Sequence, residues 1–356
     1  MKLRANRADL ADALGWASQA TPKKFLAPVL AGVRITAEAE AVTLSCFSYD
    51  TMHTAVVACD VPDAGECLVS AKTLHSILAA LKTDSVELAV DGPRLIITSG
   101  KSTYRLGVMR LDDYPSLPAF PEAVGKVARD DLADLVSTVE HAAGRDGAVP
   151  VLTAIHLEAD GLGTLTATTT DRFRIAHDAA PYDGKPFVAN VPASTLSAAV
   201  KGLSGPVTVG RSDSLLGLSD GARTVTTRLL DDDYPRIAPH LNVTPTLTVR
   251  LDADALAASL KRVELVSEPN TPPHLSFTAD EVEVAVSGGN DGAEYVACEA
   301  SDSIEVVVSG RFLADALLAI GGPVVLGFTG PTKPVLITPA DDRAVKAVVM
   351  PRRSTK

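Results

Sequence analysis

The sequence predicts an α+β protein made of three tandem modules, each with two helices packed on antiparallel sheet. Three observations predict this. RADLADALGWA at 7–17 returns as RDDLADLVSTV at 129–139 and, more loosely, as LDADALAASLKRV at 251–263. SAKTLHSILAAL at 70–81 returns as PASTLSAAVKGL at 192–203 and SGRFLADALLAI at 309–320. LDDYPSLP at 111–118 and LDDDYPRIAP at 230–239 mark the ends of the first two modules. The repeat spacing is about 120 residues, far above the roughly 20–50 of a solenoid repeat, so each module can hold its own core. The expected boundaries are 1–121, 122–244 and 245–356.

Within a module the order of elements is constant. A short strand precedes the first amphipathic helix, whose apolar positions (Leu10, Ala13, Leu14 and Ala17 in the first copy) recur at helical spacing. Asp9, Asp130, Asp131, Asp252 and Asp254 crowd the first turns, where carboxylates suit the helix dipole. Alternating segments such as VTLSCFSYDTMHTAVVACDV at 42–61 then read as strands. Ser70, Pro192 and Ser309 open the second helix, and further strands follow (SVELAVDG, RLIITSG and STYRLGVM), punctuated by Gly and Pro. GGNDG at 288–292 reads as a turn between two strands. Three like modules joined head to tail suit an arc, and two arcs close a ring when the rotation per module permits.

Composition narrows the function. Hydrophobic content is 46% and charged content 22%, which is globular, while only 4% aromatic residues leave aliphatic side chains to fill the cores. No apolar run approaches the ~18 residues of a membrane span, and MKLRANRADL lacks the apolar region of a signal peptide, so a cytoplasmic protein is expected. Cys46, Cys59, Cys67 and Cys298 have no CxxC spacing and read as reduced core residues. The net charge of −11 argues against wholesale coating of nucleic acid, although a local basic surface is compatible with it.

Signs of catalysis are missing. His53, His75, His141, His156, His177, His240 and His274 are scattered without metal-ligand spacing. There is no GxSxG elbow, P-loop or GxGxxG, and neither metal nor cofactor is expected. The acid runs Asp112–Asp113 and Asp231–Asp233 leave one enzymatic alternative, a hydrolase on a tandem α+β scaffold. Both runs precede Tyr-Pro at a module end, which favours a solvated turn.

Several phrases, in this order and spacing, carry a resemblance over the whole chain: FLAPVLAGVRI (25–35), SGKSTYRLGVMRLDDYPSL (99–117), TATTTDRFRIA (166–176), LLDDDYPRI (229–237), KPVLI (333–337) and AVVMP (347–351). The chain resembles the bacterial sliding-clamp family, the processivity subunits of the replicative DNA polymerase. The resemblance implies three DNA-clamp domains per chain and a head-to-tail homodimer. Its six-domain ring would have duplex DNA passing through a helix-lined hole. It implies a tether with no chemistry of its own, working in the cytoplasm at the nucleoid.

The resemblance also implies site residues. By the resemblance Lys24 and Lys72 fall on positions that touch DNA, and the charge count of the second helices adds Lys82, Lys201 and Arg311 as expected DNA-facing cations. Lys72, Lys82, Lys201 and Arg311 against Asp315 give the second helices a net charge of about +3, enough for weak contact without the tight, salt-steep binding that would stop sliding. Ring closure is expected between Tyr104 and Leu106 of one copy and Leu265 and Val266 of the other. A pocket for Leu/Phe-anchored peptides of polymerases, clamp loader and repair proteins maps to Leu152, Thr170, Arg172, Phe173, Arg174, Ile175, Pro235, Pro239, His240, Val348, Met350, Pro351 and Arg352. Arg172 stands where the family usually has Gly, and Arg352 where it has an apolar residue. These departures leave open lineage drift, or a second clamp serving repair or resisting a cyclic peptide antibiotic.

Overall fold

The computed structural model describes residues 1–22, 27–268 and 271–352. Its helices are α1 (Arg7–Ala17), α2 (Ala71–Ala80), α3 (Arg129–Val139), α4 (Ala193–Gly202), α5 (Ala238–Leu241), α6 (Ala253–Glu264) and α7 (Gly310–Ile320). All but the one-turn α5 are the repeated phrases. Four of these six starts are set by side-chain caps. Asn6 accepts from the amides of Ala8 and Asp9, Ser70 from Thr73, Asp252 from Ala255 and Ser309 from Phe312, each satisfying an amide that the helix cannot. Leu10, Ala13, Leu14 and Ala17 are all buried, as their spacing predicts. GGNDG lies between strands Glu281–Val286 and Gly292–Ala300.

Contacts divide the chain into two compact units, Met1–Arg129 with Ala198–Leu229, and Asp130–Ser197 with Leu230–Lys356. The middle repeat is thus split between them. The reason is backbone pairing that runs from one repeat into the next. In the first unit, strand Arg223–Arg228 of the second repeat pairs antiparallel with Thr51–Ala58 of the first, Arg223 opposite Ala55 and Thr227 opposite Thr51. In the second, Lys346–Val349 of the third repeat pairs with Arg174–Pro181 of the second, Arg174 opposite Val349 and His177 opposite Lys346.

The first unit holds a five-stranded sheet in the order Asp60–Asp63, Lys2–Asn6, Ser85–Asp91, Arg94–Ser99, Ser102–Gly107. Its second sheet includes Val207–Arg211, Leu215–Ser219, Arg223–Arg228, Thr51–Ala58, Ala41–Phe47, Gly32–Glu38 and Gly65–Ser70, neighbour to neighbour. Trp16, fully buried, locks α1 against this sheet. Its indole donates to the Thr54 carbonyl at 3.2 Å and its ring lies 4.5 Å from that of His53. Gly202, closing α4, presses on the same indole. A Cβ there would sit 2.2 Å from the ring, so no other residue fits without displacing Trp16.

The second unit is built on one twelve-stranded sheet. It begins Phe187–Pro192, Ala154–Ala159, Thr164–Thr170, Arg174–Pro181, Lys346–Val349, and continues through Val335–Pro339, Pro323–Phe328 and Leu247–Asp252 to the last hairpins. Leu256, Leu260 and Val263 of α6 and Leu313, Leu317 and Ile320 of α7 bury against the strands Val324–Phe328, Val335–Ile337 and Val282–Val286. Gly321 ends α7 at φ +67, the left-handed conformation that glycine adopts without strain.

Two buried imidazoles make stability depend on pH. Burial pushes His53 down to about 4 despite its hydrogen bond with Trp16, and burial together with the Arg174 charge pushes His141 down to about 4. Both rings are neutral in the fold, whereas the unfolded chain takes up protons near the ordinary 6.5. Between about pH 6.5 and 4 the unfolded state binds more protons, so stability is whole above the window and falls as pH drops through it. Urea midpoints should therefore decline from pH 7 to 4.5, and the variant His53→Gln, His141→Gln should flatten that decline. Independently, Gly202→Ala should cost about 1–3 kcal/mol through overpacking against Trp16, read as a lower urea midpoint at pH 7.5.

Candidate functional site

An apolar cavity of about 200 Å³ opens in the second unit. Its floor is Leu152, Ile175, Ile237, Val348 and Met350, with Thr170 and Pro235 beside them and Arg172, Arg174, Arg236 and His240 around it. The floor belongs to a packed cluster of Ile175, Ile237, Leu241 and Val348, backed by Tyr234 and Leu336. The volume falls below the ~300–1,000 Å³ of drug-sized ligand sites, and suits one or two apolar side chains of a longer ligand.

Local chemistry shapes the wall at Thr170–Ile175. Asp171 folds a tight turn by accepting the amides of Phe173 at 3.0 Å and Arg174 at 3.1 Å through Oδ1. Thr170 Oγ1 donates to the Arg174 carbonyl at 2.8 Å and accepts the Arg172 amide at 3.1 Å. This closure holds Arg172 at φ +78, where a side chain is strained. The first repeat has the same kink at Tyr49, φ +72.

Arg174 is a strut and not an open ligand group. Only 5% exposed, its Nε bonds Asp171 Oδ2 at 2.9 Å and its Nη1 bonds Asp315 Oδ2 at 2.8 Å. Its guanidinium lies 4.2 Å over the Phe312 ring. It therefore ties the turn to α7. His141 stands in the same electrostatic neighbourhood, with Nδ1 3.0 Å from the Thr138 carbonyl and Nε2 buried without a partner.

Nine of the residues expected at the pocket line this cavity: Leu152, Thr170, Arg172, Arg174, Ile175, Pro235, His240, Val348 and Met350. Four do not. Phe173 is largely exposed: its amide binds Asp171 and its carbonyl accepts the Met350 amide, while its ring stays in solvent. Pro239 sits exposed within α5. Pro351 forms an antiparallel bridge with Val308. Arg352 donates its amide to the Val307 carbonyl at 2.7 Å, and this pairing turns it into a separate cavity with Arg311, Phe312 and Glu268. The expectation that Arg352 replaces an apolar pocket wall is thereby corrected. Arg236 and Ile237 line the cavity unforeseen, although the Tyr-Pro-x-apolar phrase repeated at both module ends was a signal for Ile237.

The expected cations are dispersed. Lys72 is exposed on α2, Lys201 on the last turn of α4, and Arg311 on the first turn of α7. Lys82 is exposed but lies beyond α2, because Leu81 is already extended; it does not belong to a helix charge count. Asp315 is engaged by Arg174. Lys24 lies outside the described residues.

Tyr104 and Leu106 lie on Ser102–Gly107, the outer strand of the five-stranded sheet, paired only through Arg94–Ser99. Leu265, directly after α6, is 83% exposed and Val266 beside it is exposed too. Tyr295, also exposed, was not foreseen; it donates to Glu283 at 3.0 Å. Among the described residues, no group of three or more His, Cys, Asp or Glu side chains could hold a metal ion. No described helix is long and apolar enough to cross a membrane.

Comparison with known proteins assigns all three repeats. The profile described as DNA polymerase III beta subunit, N-terminal domain, matches residues 1–118; the central-domain profile matches 126–236 and the C-terminal-domain profile 243–353. The beta sliding clamp of Streptomyces coelicolor is 36% identical over 377 residues, covering 99% of both chains. The beta sliding clamp homolog GriR of Streptomyces muensis is 32% identical, covering 89% of this chain and 88% of that one. The crystal structure of the DNA polymerase sliding clamp from Bacillus subtilis matches with a TM-score of 0.94 over 99% of both chains at 20% identity, a likeness of fold.

The strain and the strut can be tested separately. Arg172→Gly should leave stability unchanged or raise it by up to about 1 kcal/mol, whereas β-branched Arg172→Val should lower it by about 1–2 kcal/mol. Arg174→Met should cost about 3 kcal/mol by stranding two carboxylates. Chemical denaturation of the three variants checks all of these values.

Proposed function

Because the chain belongs to the DNA polymerase III beta subunit family, whose members are non-catalytic, we propose that two copies close head to tail into a ring around duplex DNA. The ring tethers the replicative polymerase and confers processivity. Each protomer contributes three domains, 1–121, 122–244 and 245–356, and the ring works in the cytoplasm at the nucleoid.

The observation that carries ring closure is the open ends of the pairing rule. In each unit, the last strand of one repeat's second half pairs with the fourth strand of the preceding repeat. The matching strand of the first repeat is Ser102–Gly107, and the matching edge of the third repeat is the start of Gly292–Ala300. Pairing these between two copies repeats the same rule. By the spacing of the repeats, Ser102 of one copy comes opposite Glu294 of the other, and Tyr104 opposite Gly292. Leu265, Val266 and Tyr295 flank that edge and would lose their exposure, and an unpaired apolar strand edge would gain a partner. In this register Arg105 faces Asp291, and Lys101 lies one position from the residue opposite Glu294.

Retention on DNA is topological. Lys72, Lys201 and Arg311 are few beside Asp9, Asp12, Asp130, Asp131 and Asp134 on α1 and α3, so phosphate contact is weak and sliding is free. Lys82 adds a contact from beyond the end of α2, and Lys24 is a further DNA contact by the family resemblance.

The cavity takes the Leu and Phe side chains of short peptides from the polymerase, the clamp loader and repair proteins. Its apolar floor and its size support this reading. A re-cut pocket resisting a cyclic peptide inhibitor would rest on Arg172 alone, since Arg352 lies elsewhere, and is not proposed.

Leu265→Lys with Val266→Lys should give a folded monomer by light scattering, because two desolvated charges without partners cost several kcal/mol. A persistent dimer would overturn the interface. Thr103→Cys with Ala293→Cys should cross-link two chains under oxidation. Loaded on nicked circular DNA the wild-type ring should stay; after linearisation it should run off at low salt. Tight binding to short linear duplexes, falling steeply with salt, would replace the ring with an ordinary basic DNA binder.

A further inference from the structure

The cavity is apolar at its floor but cationic at its rim, in a protein of net charge −11. Of the three arginines around it, Arg174 is neutralised by Asp171 and Asp315. Arg172 and Arg236 are exposed, and among the described residues neither guanidinium has a hydrogen-bond or ion-pair partner. His240 stands beside them with its imidazole uncommitted. The acid run Asp231–Asp233 precedes Arg236 in sequence, yet none of the three lines the cavity or pairs with either arginine. Arg172 is held there by a turn that strains it, so its position is set by Thr170 and Asp171 and not by any bond of its own side chain.

We infer that this pocket selects linear peptides whose apolar anchors are flanked by Asp or Glu. The inference rests on the peptide-pocket reading above and specifies its ligand. The anchors fill the apolar floor, while the flanking carboxylates reach Arg172 and Arg236 in charge-assisted, bidentate hydrogen bonds. A neutral flank would leave both guanidiniums in water, which costs nothing, so discrimination comes from added attraction and is moderate. Exposed pairs of this kind each contribute a few-fold, which makes about tenfold for two at low salt. The attraction is screened as ionic strength rises.

Three synthetic peptides test this on the full chain by fluorescence anisotropy. The first has Leu and Phe anchors with Asp/Glu flanks, the second the same anchors with Asn/Gln flanks, and the third the acidic flanks with the anchors replaced by Ser. The first should bind about tenfold tighter than the second at 50 mM salt, and the gap should close towards 500 mM. In the variant Arg172→Gln, Arg236→Gln, both surface changes that keep a side chain at the strained position, the first two should bind alike. Equal affinity of the first two for wild type overturns the acidic preference and leaves the pocket reading intact. Binding of the third as tight as the first overturns anchored selection in favour of charge alone. Failure of the first two to bind at all overturns the pocket reading and this inference with it.

Discussion

Antiparallel backbone pairing between successive repeats is the constraint on which the rest depends. Arg223–Thr227 against Thr51–Ala55, and Arg174–His177 against Lys346–Val349, make each half-module continuous with its neighbour. Backbone amides and carbonyls impose this pairing without regard to side chains, so repeats of low identity can keep one geometry. It also explains why the contacts divide through the middle repeat and not between repeats. The same rule leaves one strand and one edge open per chain, which is the physical basis for reading the molecule as half of a closed assembly.

The cavity is a by-product of that pairing. Where Arg174–Pro181 meets Lys346–Val349, the turn at Asp171–Arg174 must pass beside the segment Pro235–Leu241, and an apolar hollow remains. In the first repeat the equivalent kink at Tyr49 stands beside a filled cluster. Phe47, Met52, Leu68 and Tyr114 pack together, and the Tyr114 hydroxyl accepts the Phe47 amide at 2.9 Å. The same local turn therefore leaves a ligand-sized hollow in one repeat and a closed core in another. The Tyr of the following Tyr-Pro segment is packed in at both places, Tyr114 within the first cluster and Tyr234 behind the cavity floor.

Charge is arranged to match. The buried Arg174 is fully engaged by two carboxylates and an aromatic face, and so acts on shape. Arg172 and Arg236 are at the surface beside the cavity, and among the described residues no hydrogen bond or ion pair engages either guanidinium. The sequence placed Arg172 and Arg174 in one pocket set; burial separates them, since Arg174 is held by two carboxylates and Arg172 is exposed.

The module count, the helix starts and the absence of catalytic motifs were readable from residues alone. Repetition at about 120 residues, capping Ser and Asp, and apolar spacing are local properties written in consecutive positions. Nine of the expected pocket residues line the cavity, and it was the family resemblance of phrases such as TTTDRFRI and AVVMP that marked them, not any local pattern. Three matters were not legible. Arg352 follows Pro351 directly, yet its amide bond to Val307 carries it to another cavity. Lys82 follows the repeated phrase, yet Leu81 is already extended, so it leaves the helix. Arg174 was expected as a pocket residue, and nothing in the sequence tied it to Asp315, far along the chain, which holds it. Each depends on which distant group supplies a hydrogen bond or a counter-charge. Sequence spacing cannot encode that, because only the folded chain brings such groups within 3 Å of one another.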